Sequence, residues 1–188
     1  VVPDPKRKLL EAAIDHVARN GVGDLSLRTL ATAIGTSHRM LIYHFGSKEG
    51  LLVEVVREVE ARQRAVLAGL DLGADRPPLE IAREFWRHLT GEALRHNERL
   101  FFELYGQALQ GRPGTTTMLD GIIDDWLAPM AELLGRLGVD EADRESHARL
   151  GLAVTRGLLL DLVTTGDVAG VTAAMDRFLD GYAREALT

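Results

Sequence analysis

Apolar residues recur every third or fourth position along almost the whole chain, and the polar residues between them fall on the opposite side of a helix. Leu9, Leu10, Ala13, Ile14 and Val17 make the first stripe, opened by Asp4–Pro5 and closed by Gly21. Asp suits the cap, and Pro at the first helical position gives up only an N–H that has no partner there. Leu27, Leu30, Ala31 and Ile34 predict a helix over 27–34, with Ser26 as its cap; a third follows over 37–44 around Leu41. Gly46–Ser47 breaks the chain again. Ser47 then caps a long helix from Lys48 to about Leu70, with Leu51, Leu52, Val55, Val56, Val59, Val66 and Leu70 on its stripe.

Gly73 and Pro77–Pro78 make Leu72–Pro78 the clearest linker. Beyond it the periods predict helices over 78–96, from Asn97 to about Gln110, over 116–137, over 140–165 and from Asp167 onward. Gly111–Gly114 is a loop, and Pro129 should kink the helix that contains it. No stretch alternates as a strand. The expected fold is all-α with about nine helices: a three-helix domain over 1–47, then 48–188, made of a connector helix and a five-helix body.

Composition changes this picture little, and charge changes it more. The chain has 188 residues, 46% apolar and 27% charged, ample for a sizeable core. It has no cysteine, no signal peptide and no apolar stretch long enough to span a bilayer, so a reducing, cytoplasmic setting without a membrane partner is expected. The first residue is Val1 rather than Met, which leaves room for a preceding arm. Net charge is −6, yet residues 1–50 hold seven Lys and Arg against five Asp and Glu, leaving +2 there and −8 in the rest. A mildly basic reader on an acidic body would be oriented by DNA, which repels the body.

The reader's chemistry sits around one turn. Gly35 stands where two helices must join within three or four residues, and Ala31 is small where they nearly touch. Thr36 and Ser37 cap the next helix, which carries donors around the buried Leu41. Such a helix is built to enter a major groove. Arg39 is the expected base reader, because a guanidinium bonds two acceptors of guanine at once. His38 and Met40 flank it, within reach of base edges or a thymine methyl, and Ser37 belongs to the same contact set. Tyr43, His44, Lys48 and Arg28 are assigned to phosphates, which set register and affinity but carry no sequence information. Tyr43 faces either a phosphate or the bases, and His44 is either a phosphate contact or a packing residue.

In the body, His88, Glu92 and His96 stand at i, i+4 and i+8. That row suggests a metal, but no second ligand cluster accompanies it, so no metal or other cofactor is expected; His96 is either a core histidine or a polar contact in a pocket. Phe85, Trp86, Leu89, Phe101, Phe102, Tyr105, Met118, Ile122, Trp126 and Met130 gather aromatic and apolar side chains into three consecutive helices. They form either solid core or an apolar effector pocket. The last two helices set Gly157 and other small residues among Leu150, Val154, Leu158, Met175, Phe178 and Tyr182, which lets helices pack closely, within the chain or between copies.

Gly21, Leu27, Leu30–Ala31, Gly35, Ser37, Leu41, His44–Phe45, Ser47–Lys48–Glu49 and Leu51–Leu52 together resemble the N-terminal signature of the TetR family of transcriptional regulators. The family usually has Tyr at the position of Ile42, with its hydroxyl on a phosphate; here the Tyr is Tyr43. The resemblance implies a small-molecule pocket in the body and a four-helix bundle between the last two helices of two copies. The expected function is then a homodimeric repressor, released from double-stranded operator DNA by a small, largely apolar effector. One rival is a small helical enzyme around Glu92, His96 and Tyr105, which lacks an evident nucleophile, cofactor loop or oxyanion device. Another is an architectural DNA-binding protein with no effector.

Overall fold

A computed structural model describes residues 4–23, 25–70, 76–136 and 138–186, without the side chains of Pro78 and 182–186. Among the described residues there are nine α-helices and no strand. They are α1 (Pro5–Asn20), α2 (Leu27–Ala33), α3 (His38–Phe45), α4 (Lys48–Ala68), α5 (Pro78–Leu89), α6 (Arg95–Leu109), α7 (Asp124–Arg136), α8 (Arg144–Thr165) and α9 (Val168–Ala186).

The chain forms two compact units that do not follow the boundary at 47. Val1–Ala61 joins with Ala93–Asp120, and Arg62–Glu92 with Gly121–Thr188. In the first, Asp4 caps α1 by accepting from the Lys6 N–H. Leu10, Ala13, Ile14 and Val17 are buried as the stripe requires, and α1 packs on α2 and α6. Charged pairs tie α1 to α4. Lys6 reaches Glu54 at 2.8 Å and lies 5.5 Å from the centre of the Phe45 ring, while Arg7 forks onto Glu58 at 2.9 and 3.3 Å. Two cations of the basic reader are therefore engaged by acids that lie just past residue 50.

In the second unit α7 and α9 pack on α8, and α9 also packs on α5. Leu67, Trp126, Leu127, Ala148 and Leu152 form a core, with Phe85, Met130 and Leu134 against it. Trp86 donates its indole N–H to the Thr172 hydroxyl at 3.2 Å, joining α5 to α9. Beside it Arg83 bonds Asp176 at 2.8 Å and Asp180 at 2.6 Å. The hydrogen bond to Asp176, with that to Asp180, holds the guanidinium above its ordinary basicity.

Two expected helices are interrupted. The helix over 78–96 stops at Leu89, where the Thr90 hydroxyl donates to the Trp86 carbonyl. A short 3-10 turn over Glu92–Leu94 leads into α6, so Asn97 lies inside that helix and does not cap it. The helix expected over 116–137 is a 3-10 turn at Thr116–Leu119, a turn through Gly121, and then α7, with Pro129 inside it. Leu72–Asp75 of the expected linker, and Leu137, lie outside the described residues.

Candidate DNA-reading face

The α2–α3 turn is built by capping at both ends. Ser26 and Thr29 cap the start of α2 reciprocally, the Ser26 hydroxyl accepting from the Thr29 N–H at 3.1 Å. At the other end the Gly35 N–H donates to the Thr32 carbonyl and the Thr36 N–H to that of Ala31, a Schellman closure. Gly35 sits at φ +71°, which an L side chain adopts only at a cost. Ser37 caps α3, accepting from the Met40 N–H at 3.2 Å. Leu41 and Phe45 are buried, and each such side chain contributes roughly 1.5–3 kcal/mol to holding α3 in place.

What remains outside is the candidate reading face. Arg28, Ser37, His38, Arg39 and Met40 are all exposed, and Tyr43 at 79% is far more exposed than either neighbour. Arg28 and Arg39 make no ion pair among the described residues. Arg39, Ile42 and Tyr43 stand at i, i+3 and i+4 and share one side of α3. Ile42, which the sequence reading does not assign to DNA, is exposed as well, and its helical spacing from Arg39 is the signal for it. His44 is half-buried between Tyr43 and Phe45, and its buried Nε2 has no hydrogen-bond partner. Lys48 opens α4, where Ser47 caps by accepting from the Gly50 N–H at 2.9 Å. Free amides and a cation at a helix start together attract phosphate.

The proposed effector residues fall into both units. Phe85, Trp86, Leu89, Ile122, Trp126 and Met130 belong to the second, where Phe85 and Trp126 lie 6.3 Å apart. His96, Phe101, Phe102, Tyr105 and Met118 belong to the first, where Phe101 stacks on Tyr105 at 5.6 Å. Trp86, Leu89, Phe101, Met118 and Trp126 are buried; Phe85, Phe102, Tyr105, Ile122 and Met130 are only partly so. His96 is exposed and donates its Nδ1–H to the Ala18 carbonyl at 2.9 Å, at the end of α1. It is neither a core histidine nor a member of a row with His88 and Glu92, because the helix breaks between them. His88 instead bonds buried Gln63 at 2.5 Å.

Comparison with known proteins agrees with this geometry. Residues 9–55 match the family model of bacterial regulatory proteins, tetR family. Over that segment the chain is similar to the TetR family. The HTH-type transcriptional regulatory protein RaaS of Mycobacterium tuberculosis is 40% identical over 68 residues, 34% of this chain. That match spans about a third, 32%, of the curated relative. A transcriptional regulator from Rhodococcus sp. Rha1 superimposes with a TM-score of 0.77 at 20% identity, covering 98% of this chain and 99% of its own. A putative transcriptional regulator from Saccharomonospora viridis, in complex with choline, gives 0.66 at 23% identity, over 96% and 95%. The two structural likenesses concern the fold, which is TetR-like throughout.

The last two helices carry an apolar face. Leu150 and Leu160, 49% and 48% exposed, lie on α8 with exposed Ala153 and Gly157 between them, and Val154 and Leu158 are half-buried beside that row. On α9, Val168, Ala173 and Ala174 are exposed and Phe178 is half-buried. Met175 is buried within its own unit, which leaves it almost no surface for a partner copy. The side chain of Tyr182 is outside those described.

Proposed function

We propose that this protein is a regulator of the TetR family, a homodimeric repressor that binds double-stranded operator DNA and is released by a small, largely apolar effector. The observation that carries the reading is α3: fixed from below by Leu41 and Phe45, capped by Ser37, with Arg39, Met40 and Tyr43 exposed. A helix so held presents Arg39 and Tyr43 as donors and Met40 as an apolar contact, which suits direct reading of a major groove. Dimerisation is supported by the exposed row from Leu150 to Leu160, since a twofold contact would bury it and set two readers about a helical turn or a multiple apart. An effector is supported by the half-buried Phe85, Ile122 and Met130, and by the choline bound to a protein of the same fold. It would act by binding unequally to two states of the dimer.

The enzyme reading has less support, because the His96 ring N–H is engaged by the Ala18 carbonyl at the end of α1. The test is selection of duplexes from a random pool, followed by titration of the enriched duplex with and without a small-molecule extract of the source cells. A palindromic sequence should be enriched, and the extract should release it. Failure to enrich any sequence would remove the operator-binding function, and enrichment without release would leave an effector-free DNA binder.

A further inference from the structure

The loop that follows α6 lies against the start of α4. The Gly111 N–H donates to the Ala108 carbonyl at 2.9 Å and the Arg112 N–H to that of Gln107 at 3.1 Å, a Schellman closure. The fully buried Thr115 then donates its hydroxyl to the Arg112 carbonyl at 2.8 Å. Both backbone groups of Arg112 are thus fixed by bonds that do not involve its side chain. That side chain, 55% exposed, reaches Glu49 with 3.6 Å between Nη2 and Oε1. Backbone at Gly114 lies so close that a Cβ there would stand 3.1 Å from Glu49 Cβ and 3.6 Å from Ser47 Oγ. Two more fasteners hold the same segment to its unit: Arg57 bonds the Thr117 carbonyl and reaches Asp120 at 3.7 Å, and His96 bonds the end of α1.

Glu49 is the second residue of α4 and the neighbour of Lys48. An uncompensated carboxylate there repels any phosphate that approaches the helix start, by an amount that salt screens. We propose that Arg112 is a positioning residue for DNA binding: by holding the Glu49 carboxylate it neutralises and orients the first turn of α4, where phosphate is received. The inference rests on the DNA-reading function above. It adds to the reader a residue from the far side of α6, outside the segment 9–55 that matches the family model.

The experiment measures binding of the selected duplex, and of one with scrambled sequence, across a salt series. Arg112→Ala should weaken both by the same factor, about two- to fivefold at low salt, with the gap closing as salt rises. In a Glu49→Gln background the same substitution should cost nothing, since the acid it restrains is gone. Thermal melts should coincide, because the backbone closure is intact; if the alanine variant melts early, Arg112→Gln carries the same test with the chain length kept. Unchanged affinity in Arg112→Ala overturns the proposal. So does an equal loss in the Glu49→Gln background, or a loss confined to the selected sequence. A wild-type protein that binds neither duplex removes the DNA-reading function itself, and Arg112 with it.

Discussion

Substituting Ala for Gly35 isolates the backbone term that sets the reading helix. Nothing lies within 4 Å of the position a Cβ would take, so no clash contributes. The cost is the left-handed conformation alone, φ +71°, roughly 1–2 kcal/mol for an L residue. Ala also narrows the unfolded ensemble, which offsets part of this, and a net loss of about 1 kcal/mol remains. Gly106 is the internal control. It too has open space around its Cβ position, but it lies inside α6 at ordinary helical angles. There Ala should stabilise by up to about 1 kcal/mol. The same change of atoms therefore has opposite signs at the two sites. With two compact units a single melting midpoint is a poor measure, so native-state hydrogen exchange is the assay. The Thr36 amide, bonded to the Ala31 carbonyl at 2.9 Å, reports the turn directly. It and the α3 amides should exchange about fivefold faster in Gly35→Ala, while α6 amides exchange more slowly in Gly106→Ala. Equal destabilisation by both substitutions, or wild-type exchange in Gly35→Ala, would refute the conformational account.

Lys48→Ala should weaken binding to every duplex alike and lower the salt slope by about one, read from affinities over a salt series. Leu160→Glu places a charge in the proposed interface; light scattering should give twice 20.6 kDa for the wild type and a monomer for the variant. Trp126→Ala should cost the second unit about 3–5 kcal/mol, because the indole packs with Leu67, Leu127 and Leu152; wild-type hydrogen exchange of the α7 and α8 amides would contradict this.

Local punctuation made the first half legible. Asp4, Pro5, Ser26, Gly35, Ser37 and Ser47 each act within three or four residues of where they stand, so α1 to α4 begin where the sequence places them. The body was read less well because apolar period alone does not show a break. Leu89 and Ala93 continue a helical stripe across Thr90–Gly91, and Leu119, Ile122 and Ile123 continue one across Asp120–Gly121, yet both helices stop there. The aromatic cluster was visible as a cluster, but its partition was not: Phe101 and Met118 pack in the first unit, Phe85 and Trp126 in the second. Nor does any local pattern announce pairs such as Arg112 with Glu49, or His96 with Ala18, whose partners are remote in the chain. The fold class and the helix-turn-helix were thus open to inspection from sequence, whereas the attachment of residues 93–120 to the first unit required the structure.

The claim on which the rest depends is that α3 reads a major groove through Arg39. It is tested most directly by replacing guanines of the selected duplex, one at a time, with 7-deazaguanine, which lacks the N7 acceptor in that groove and leaves base pairing intact. Wild-type protein should lose about 1–3 kcal/mol of binding free energy at one symmetry-related guanine in each half-site. Arg39→Ala should bind more weakly throughout and be indifferent to that same replacement. Wild-type binding that is insensitive to every replaced guanine, or an Arg39→Ala variant with undiminished sensitivity, would contradict the account.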